Sequence, residues 1–288
     1  MRAADARKRA RLTRTLACMN LQNSPIGFAS RRPNLLAAGA LAEDGYQLPR
    51  RHFLKRILWA AGLSAFGILP SGCAVKWSLL PARPISWVMK PLSSAKTEET
   101  TLPDGRVRLH IDHDLLRDVT PPMLVWWWRN IGAEMELNGQ SYPRYLIWHP
   151  IDHIHFEVAK RLADGSVGPG AVFHIVEALG ADMKHLIDAR LLLQKLDQTG
   201  AAVEVRALAQ TVLEIRGQFL PREAGTQLVS TMTIGSSSWL GEMGLNSWLV
   251  ERFFPAERRK VWLKHSVEEI GNLQFFLPDL YRRHARAG

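Results

Sequence analysis

The chain has 288 residues, 47% of them hydrophobic, and a formal net charge of +10 at pH 7. That length and apolar content allow one large domain or two small ones with a buried core. Residues 1–72 contain 12 Lys/Arg against 3 Asp/Glu, whereas residues 73–288 contain 25 against 24. Because the excess positive charge lies in the N-terminal segment and the remainder is nearly neutral, the composition excludes nucleic acid as a partner.

The segment 1–72 has the pattern of a leader followed by an export signal. Residues 50–55 read Arg-Arg-His-Phe-Leu-Lys and precede the apolar run 57–69. A basic flank before an apolar run of this length is typical of a cleavable signal, because a membrane-spanning helix needs roughly 20 apolar residues. The Arg50-Arg51 string resembles the twin-arginine export consensus. We therefore expect an exported protein, periplasmic or held at the membrane by a lipid; a basic amphipathic helix is the alternative.

The apolar run is followed by Pro70-Ser71-Gly72-Cys73. Small residues before a cysteine resemble a lipoprotein cleavage box, which predicts a lipid anchor at Cys73. Pro70 departs from that pattern, so simple cleavage nearby and retention of the signal are the alternatives. The other cysteine, Cys18, lies upstream of the signal, so we predict no internal disulfide in the exported part.

Residues 73–114 contain several prolines among Ser and Thr, which predicts a tether and an N-terminal arm before a single domain over 115–288. In this domain, Thr120 is suited to cap a helix whose first turn contains Pro121. The following residues 123–128, Met-Leu-Val-Trp-Trp-Trp, are all apolar. A helix that is apolar nearly all round is expected to be deeply packed.

Three later segments, 202–206, 212–219 and 227–234, alternate between apolar and polar residues, as half-buried strands do. From Asn246 to about Phe276 the period becomes helical, with a new helix beginning at Pro255 and ending near Pro278. The expected fold class is therefore α+β: a curved antiparallel sheet gripping a long C-terminal helix, with extra helices nearer the N-terminus.

His265 and Glu269 are the first candidates for chemistry. They are four residues apart in the predicted helix, so both side chains leave the same face, which Trp262 and Leu273 share. A carboxylate on a core-facing stripe is costly unless it has a partner, and metal ligation would supply one. A salt-bridged surface pair is the competing interpretation.

Two further segments contain side chains of the types that bind metals. Residues 149–155 contain His149, Asp152, His153 and His155, of which one zinc would use only part, because it takes about four ligands. Glu177 follows Phe173-His-Ile-Val in a predicted strand and shares its face with Phe173 and Ile175. An acid on an apolar face again suggests ligation, although a strand end open to solvent is the simpler explanation.

The order of these motifs resembles the diacetylphloroglucinol hydrolases over roughly residues 115–285. The shared pattern is His149-Pro-x-Asp-His153, then Gly168-Pro-Gly-Ala-x-Phe-His-Ile-x-Glu177, then His265-x-x-x-Glu269. The resemblance implies a START-like helix-grip fold and one zinc ion bound by two His and two Glu. Those ligands fall on His149, Glu177, His265 and Glu269, with His153 as the alternative to His149.

The resemblance further implies hydrolysis of the carbon–carbon bond between an acyl group and a phenolic ring or a similar β-dicarbonyl compound. Asp152, His153 and Tyr142 lie near the ligands in sequence and are candidates for acid/base work or for contacts with substrate hydroxyls. Orientation of His149 is the alternative role for them.

The substrate pocket is expected to be aromatic. It could be lined by Trp126, Trp127, Trp128, Trp148 and Trp239, although some of these should be core residues. Two other functions compete: an exported helix-grip protein that binds a hydrophobic small molecule without catalysis, and a metal-dependent hydrolase of a different bond, such as an ester.

Overall fold

The computed structural model describes residues 76–207 and 209–285. The strands in these residues are β1 Lys96–Thr101, β2 Val107–Asp112, β3 Leu116–Arg117, β4 Glu134–Leu137, β5 Gln140–Pro143, β6 His153–Lys160, β7 Val172–Ala178, β8 Leu186–Asp197, β9 Gly200–Ala207, β10 Gln210–Arg222 and β11 Gly225–Ile234. The α-helices are α1 Pro121–Asn130, α2 Arg144–Trp148, α3 Asn246–Phe253 and α4 Ala256–Ala285.

One antiparallel sheet of nine strands dominates the fold. Its order is β1-β2-β11-β10-β9-β8-β7-β6, with β3 also paired to β11, while β4 and β5 form a separate hairpin. Strands β6 to β11 follow one another as neighbours, which is the meander that the alternating pattern predicts. The α+β helix-grip prediction is confirmed, because the sheet and the long helix α4 enclose one core.

The three predicted strands lie within β9, β10 and β11. In β11 every second residue is buried, from Thr226 to Ile234, because one face of the sheet covers the core and the other meets solvent. In β9 the burial is nearly continuous, since both faces of that central strand are covered.

Helix α1 begins directly after Thr120, as predicted, although the Thr120 side chain makes no capping hydrogen bond. Leu124 and Trp127 are its buried residues. Trp126 and Trp128 are partly exposed and pack at the margin of the core. The helix is therefore packed along one stripe.

Helix α4 does not end at Pro278, as the sequence predicts, but continues to Ala285. A proline inside a helix removes one hydrogen bond and costs about 3 kcal/mol. Leu277 and Leu280 on either side of Pro278 are buried in the core. Their packing offsets that cost, so the helix continues through the proline.

The predicted domain boundary at residue 115 is not where the structure divides the chain. Strands β1 and β2 precede it, and β2 pairs with β11 inside the nine-stranded sheet. The arm is therefore confined to residues 76–95, and the folded domain includes β1 and β2.

The arm contacts the segment between α2 and β6. The backbone N–H and the guanidinium of Arg83 both donate to the carbonyl of Pro150. The Trp87 indole N–H donates to Asn272 Oδ1 (3.1 Å), and the Asn272 amide donates to the carbonyl of Trp148 (2.9 Å).

The predicted leader, export signal and lipid-anchored Cys73 lie outside the described residues. Among the helices that are described, none has the length and apolar content needed to cross a membrane.

Candidate metal centre

A cavity lies between the inner face of the sheet and helices α1, α2 and α4. It holds about 1240 Å³ of atom-free space, counted out to its opening. Most of its wall is apolar and comes from strands β7 to β11. Its acidic and histidine side chains are Glu177, His265 and Glu269, which lie together.

Four side chains converge beside this cavity. His153 Nε2 lies 3.5 Å from Glu177 Oε1 and 3.7 Å from Glu269 Oε2. His265 Nε2 lies 3.7 Å from Glu177 Oε2 and 3.6 Å from Glu269 Oε2. They come from three separate elements: His153 from the start of β6, Glu177 from the end of β7, and His265 and Glu269 from one face of α4. Each of the two imidazoles thus lies beside both carboxylates.

The ring orientation of both histidines is fixed from behind. The Nδ1–H of His153 donates to the carbonyl of Tyr145 (2.6 Å), and the Nδ1–H of His265 donates to Asp152 Oδ2 (2.9 Å). Each hydrogen bond directs the Nε2 atom into the cluster, where its lone pair is available to a metal when the ring is neutral. Such outer partners fix the tautomer of metal-binding histidines in general.

His153 Nε2 is completely buried and has no hydrogen-bond partner among the described residues. Leaving a buried polar atom unpaired costs about 1–3 kcal/mol, so such an atom calls for an explanation. Its nearest neighbours are carboxylate oxygens beyond ordinary hydrogen-bond distance. A bound cation would pair all three groups.

Asp152 supports His265 and does not line the cavity. Its carboxylate accepts the backbone N–H groups of Gly180 and Ala181 (2.9 Å each) as well as the proton of His265. Burial alone would raise the pKa of Asp152, but the hydrogen bond from His265 and the nearby histidine charges hold it well below its ordinary value. Asp152 therefore stays ionised and anchors the ring.

The charges in the cluster reinforce one another. Burial acts to lower the pKa of His265, yet Glu269 and Asp152 together raise it well above its ordinary value. Burial acts to raise the pKa of Glu269, but His265 and His153 lower it to about 2. Glu269 therefore remains anionic at neutral pH and attracts a positive charge.

The structure places His149, which the family resemblance implies as a ligand, beside this cluster: its ring stacks on His265 with the centroids 4.4 Å apart, and possible ligand atoms of His149, Asp152 and His265 lie within 4.8 Å of one another. His149 Nδ1 accepts the backbone N–H of Asp152 (3.1 Å), and its Nε2 lies 3.4 Å from Glu268. His153, the alternative that the sequence left open, is the histidine that faces both Glu177 and Glu269 together with His265.

Tyr142, a predicted acid/base or substrate-contact residue, does not contact the cluster through its hydroxyl. It lies on β5, and its hydroxyl donates to Gln140 Oε1 (2.5 Å) near the surface. Tyr145, three residues later in α2, is the tyrosine at the cluster: its hydroxyl donates to Glu177 Oε1 and its ring stacks on His153. The only sequence feature that could have indicated Tyr145 is its position close to His149 in the chain.

The five tryptophans divide among four environments. Trp128 and Trp148 line the cavity, as predicted, while Trp127 is a core residue. Trp126 packs against Tyr281 and His284, and Trp239 is 64% exposed.

Comparison with known proteins yields matches among solved structures only. No protein-family profile matches the sequence, and no curated protein matches it. The structure is similar to Ara h 8.0201 (10% identity, TM-score 0.36, covering 64% of this chain and 97% of that one) and to the KanY protein ms6282 (11% identity, TM-score 0.37, covering 66% and 99%). Protein SA2116 of Staphylococcus aureus, of unknown function, matches at 14% identity and a TM-score of 0.32, covering 65% and 98%. Similarity at this level does not extend to activity or ligand.

Proposed function

We propose that this protein is a zinc-dependent hydrolase that cleaves the carbon–carbon bond between an acyl group and a phenolic ring, or the corresponding bond of a similar β-dicarbonyl compound. The observation that carries the proposal is the convergence of His153, Glu177, His265 and Glu269 beside an apolar cavity.

The donor set fits zinc. In a tetrahedral site with bonds of about 2.0–2.1 Å, neighbouring ligand atoms lie about 3.4 Å apart. The four His-to-Glu distances in the cluster are 3.5–3.7 Å, close to that spacing. The unpaired Nε2 of His153 is of the type that zinc binds, and the outer partners Asp152 and the Tyr145 carbonyl resemble those of metal-binding histidines.

When bound, zinc polarises a carbonyl oxygen and lowers the pKa of a water molecule, so that hydroxide is available at neutral pH. The hydrolysis adds the oxygen of water to the acyl carbon and breaks the bond to the ring. The bonding electron pair remains with the ring carbon, which must receive a proton. An acylated phenol suits this reaction because its ring can be protonated as the keto tautomer.

Tyr145 is the chain's candidate for moving that proton. Burial, followed by the charge of Glu177, raises the pKa of the Tyr145 hydroxyl well above its ordinary value, so the hydroxyl stays protonated at neutral pH. It donates to Glu177 and lines the cavity. A protonated donor at the cluster is therefore available to a leaving group bound in the cavity.

The decisive experiment combines zinc analysis of the purified protein with an assay of carboxylic acid release from an acylphloroglucinol and from an aryl ester. We expect stoichiometric zinc and release from the acylphloroglucinol. Tyr145→Phe should retain zinc and lose about 100-fold or more in turnover, as for a general acid. Tyr142→Phe, whose hydroxyl lies at the surface, is the matched control and should behave as wild type. Purified protein without zinc would refute the proposal. Cleavage of the aryl ester but not of the acylphloroglucinol would show that the enzyme hydrolyses an ester bond and not a carbon–carbon bond.

A non-catalytic role is the second candidate, because the cavity is large and apolar enough to hold a hydrophobic small molecule without chemistry. A carrier of that kind has no use for the four-residue cluster. Binding of such a molecule by protein that contains no zinc would favour it.

The proposal includes export, since Arg50-Arg51, the run 57–69 and Cys73 have the pattern of a twin-arginine signal with a lipid attachment site. The enzyme would then act in the periplasm or at the membrane, and its phenolic substrate would be met there.

A further inference from the structure

A buried polar pair lies on the cavity wall outside the metal cluster. Ser230 is on β11 and lines the cavity, and its Oγ lies 2.9 Å from His113 Nε2. His113 follows β2 and is 3% exposed, while Ser230 is 7% exposed. The two residues are 117 positions apart, so the sheet brings them together.

The surroundings of this pair are apolar. On β11 the neighbouring inward side chains are Leu228 and Met232, and the cross-strand partners of Ser230 are Gly217 on β10 and Ile111 on β2. Burying a hydroxyl in such a wall is unfavourable unless it is paired, and an alanine would fill the position at no such cost. Packing of the cavity wall alone therefore does not explain why a serine bonded to His113 lies at this position.

The pair is electrically neutral and lies within the field of the metal cluster. Burial lowers the pKa of His113 to about 4, with the charge of Glu269 acting in the opposite direction. A neutral imidazole can either accept the serine proton or donate to the serine oxygen. The first arrangement leaves Ser230 Oγ as an acceptor for a ligand hydroxyl, and the second leaves it as a donor to a ligand carbonyl.

We propose that Ser230 binds a second oxygen of the substrate, a ring hydroxyl or keto oxygen, while the acyl carbonyl faces the metal cluster. His113 is the positioning residue that holds the Ser230 hydroxyl. This inference rests on the proposed function, because it assumes that the cavity takes the substrate. It narrows the substrate class to apolar compounds that have a carbonyl and a separate oxygen function.

The test measures binding rather than turnover. Acetophenone and its 2′-, 3′- and 4′-hydroxy isomers would be titrated into zinc-loaded protein while following quenching of the tryptophan fluorescence, to which Trp128 and Trp148 on the cavity wall contribute. We expect wild type to prefer one hydroxy isomer over acetophenone. Ser230→Ala should weaken binding of that isomer about tenfold, the loss typical of a buried hydrogen bond, and leave acetophenone unchanged.

Four further variants separate binding from folding. Ser230→Cys, nearly the same size and a weak hydrogen-bonding group, should lose the preference in the same way. His113→Leu should reduce the preference for the hydroxy isomer. His113→Gln, whose amide can still form a hydrogen bond with Ser230, should keep part of that preference. Met232→Leu changes a neighbouring wall residue at nearly constant volume and should keep the preference.

The inference is overturned if wild type binds no hydroxy isomer more tightly than acetophenone. It is equally overturned if the Ser230 variants weaken both kinds of probe alike, or neither. Zinc analysis and acid release, measured on the same preparations, keep the two proposals apart. If the protein contains zinc and hydrolyses the acylphloroglucinol but the Ser230 variants bind both probes as wild type does, only this inference is refuted. If the Ser230 variants lose the preference for the hydroxy isomer but the purified protein contains no zinc, only the proposed function is refuted.

Discussion

Strands β6 and β7 contain histidine and carboxylate residues on both faces of the sheet. These residues form an inner and an outer cluster, which differ in whether their polar atoms have hydrogen-bond partners. The inner cluster consists of His153, Glu177, His265 and Glu269. The outer cluster consists of His155, Glu157, His174 and Asp188, with Trp77 of the arm stacked on His155. Three residues of each cluster bring possible metal ligands within 4.8 Å of one another.

The outer cluster is already paired. His174 Nδ1 lies 3.1 Å from Glu157 and its Nε2 lies 2.8 Å from Asp188, so both ring nitrogens have partners. Glu157 is 51% exposed, so water can solvate it. In the inner cluster, by contrast, His153 Nε2 is buried and unpaired among the described residues. Composition alone does not identify a metal site; burial and unpaired donor atoms distinguish one cluster from the other.

The largest expected effect tests that distinction directly. His265→Ala or Glu269→Ala removes a donor from the inner cluster, and we expect zinc content to fall close to zero together with all hydrolysis. His174→Ala, in the outer cluster, is the matched control and should retain zinc at the wild-type level. Metal analysis of the purified variants measures both. Zinc lost from His174→Ala but kept by His265→Ala would reverse the comparison.

A second pair of variants distinguishes two neighbouring histidines. His153→Ala should lose zinc, because its Nε2 faces Glu177 and Glu269. His149→Ala should retain stoichiometric zinc, because its ring nitrogens bond to the Asp152 backbone and lie near Glu268. The same metal analysis decides, and equal loss in both variants would restore His149 as a ligand.

Acid should affect buried and exposed histidines differently. The pKa of His113 is about 4 in the folded protein, below its ordinary value of 6.5, because of burial. The unfolded chain therefore binds a proton more readily between pH 6.5 and 4, and stability falls as pH falls through that window. We expect His113→Gln to remove on the order of 3 kcal/mol of this loss.

The comparison for the acid experiment is His155→Gln in the outer cluster. Burial also lowers the pKa of His155, but its side chain is 34% exposed and solvent screens its charge, so this variant should remove a smaller part of the loss than His113→Gln. Urea unfolding at several pH values measures both variants. An acid dependence of His113→Gln identical to that of wild type would contradict the assignment.

The smallest effect concerns the support of His265. Asp152→Asn should weaken zinc binding by about 10–100-fold, the range for outer partners of metal-binding histidines, without abolishing it. Asp188→Asn changes the carboxylate that bonds His174 and should leave zinc affinity unchanged. Competition with a chromogenic chelator gives the affinities. No difference between these two variants would show that Asp152 has no role in metal binding.

Sequence periodicity was sufficient for much of the fold and for half of the cluster. The alternation in 202–206, 212–219 and 227–234 predicts three neighbouring strands, and the spacing of His265 and Glu269 places both on one helix face. These features depend on local geometry. Strands β1 and β2 were missed because β2, which also pairs with β1, joins the sheet through a long-range contact with β11.

The choice between His149 and His153 depended on a local irregularity. His153 pairs with Glu177 and His155 pairs with Val176, so β6 contains one extra residue there. This β-bulge lets His153 face Glu177 and Glu269 while His155, two residues later, faces the opposite side with Trp77. Strict alternation would place both on one face, and no sequence signal indicated the bulge. Ser230 and His113 were missed for a related reason, since only the folded sheet brings them together.

The contacts of the arm have a practical consequence for dissecting the chain. Trp87 reaches Trp148 through Asn272, and Arg83 bonds to Pro150, so the arm fastens the segment that leads into His153. A fragment that starts at residue 96 would keep the entire sheet but lose these ties. A fragment intended for zinc binding should therefore begin ahead of Arg83, so that both ties are kept.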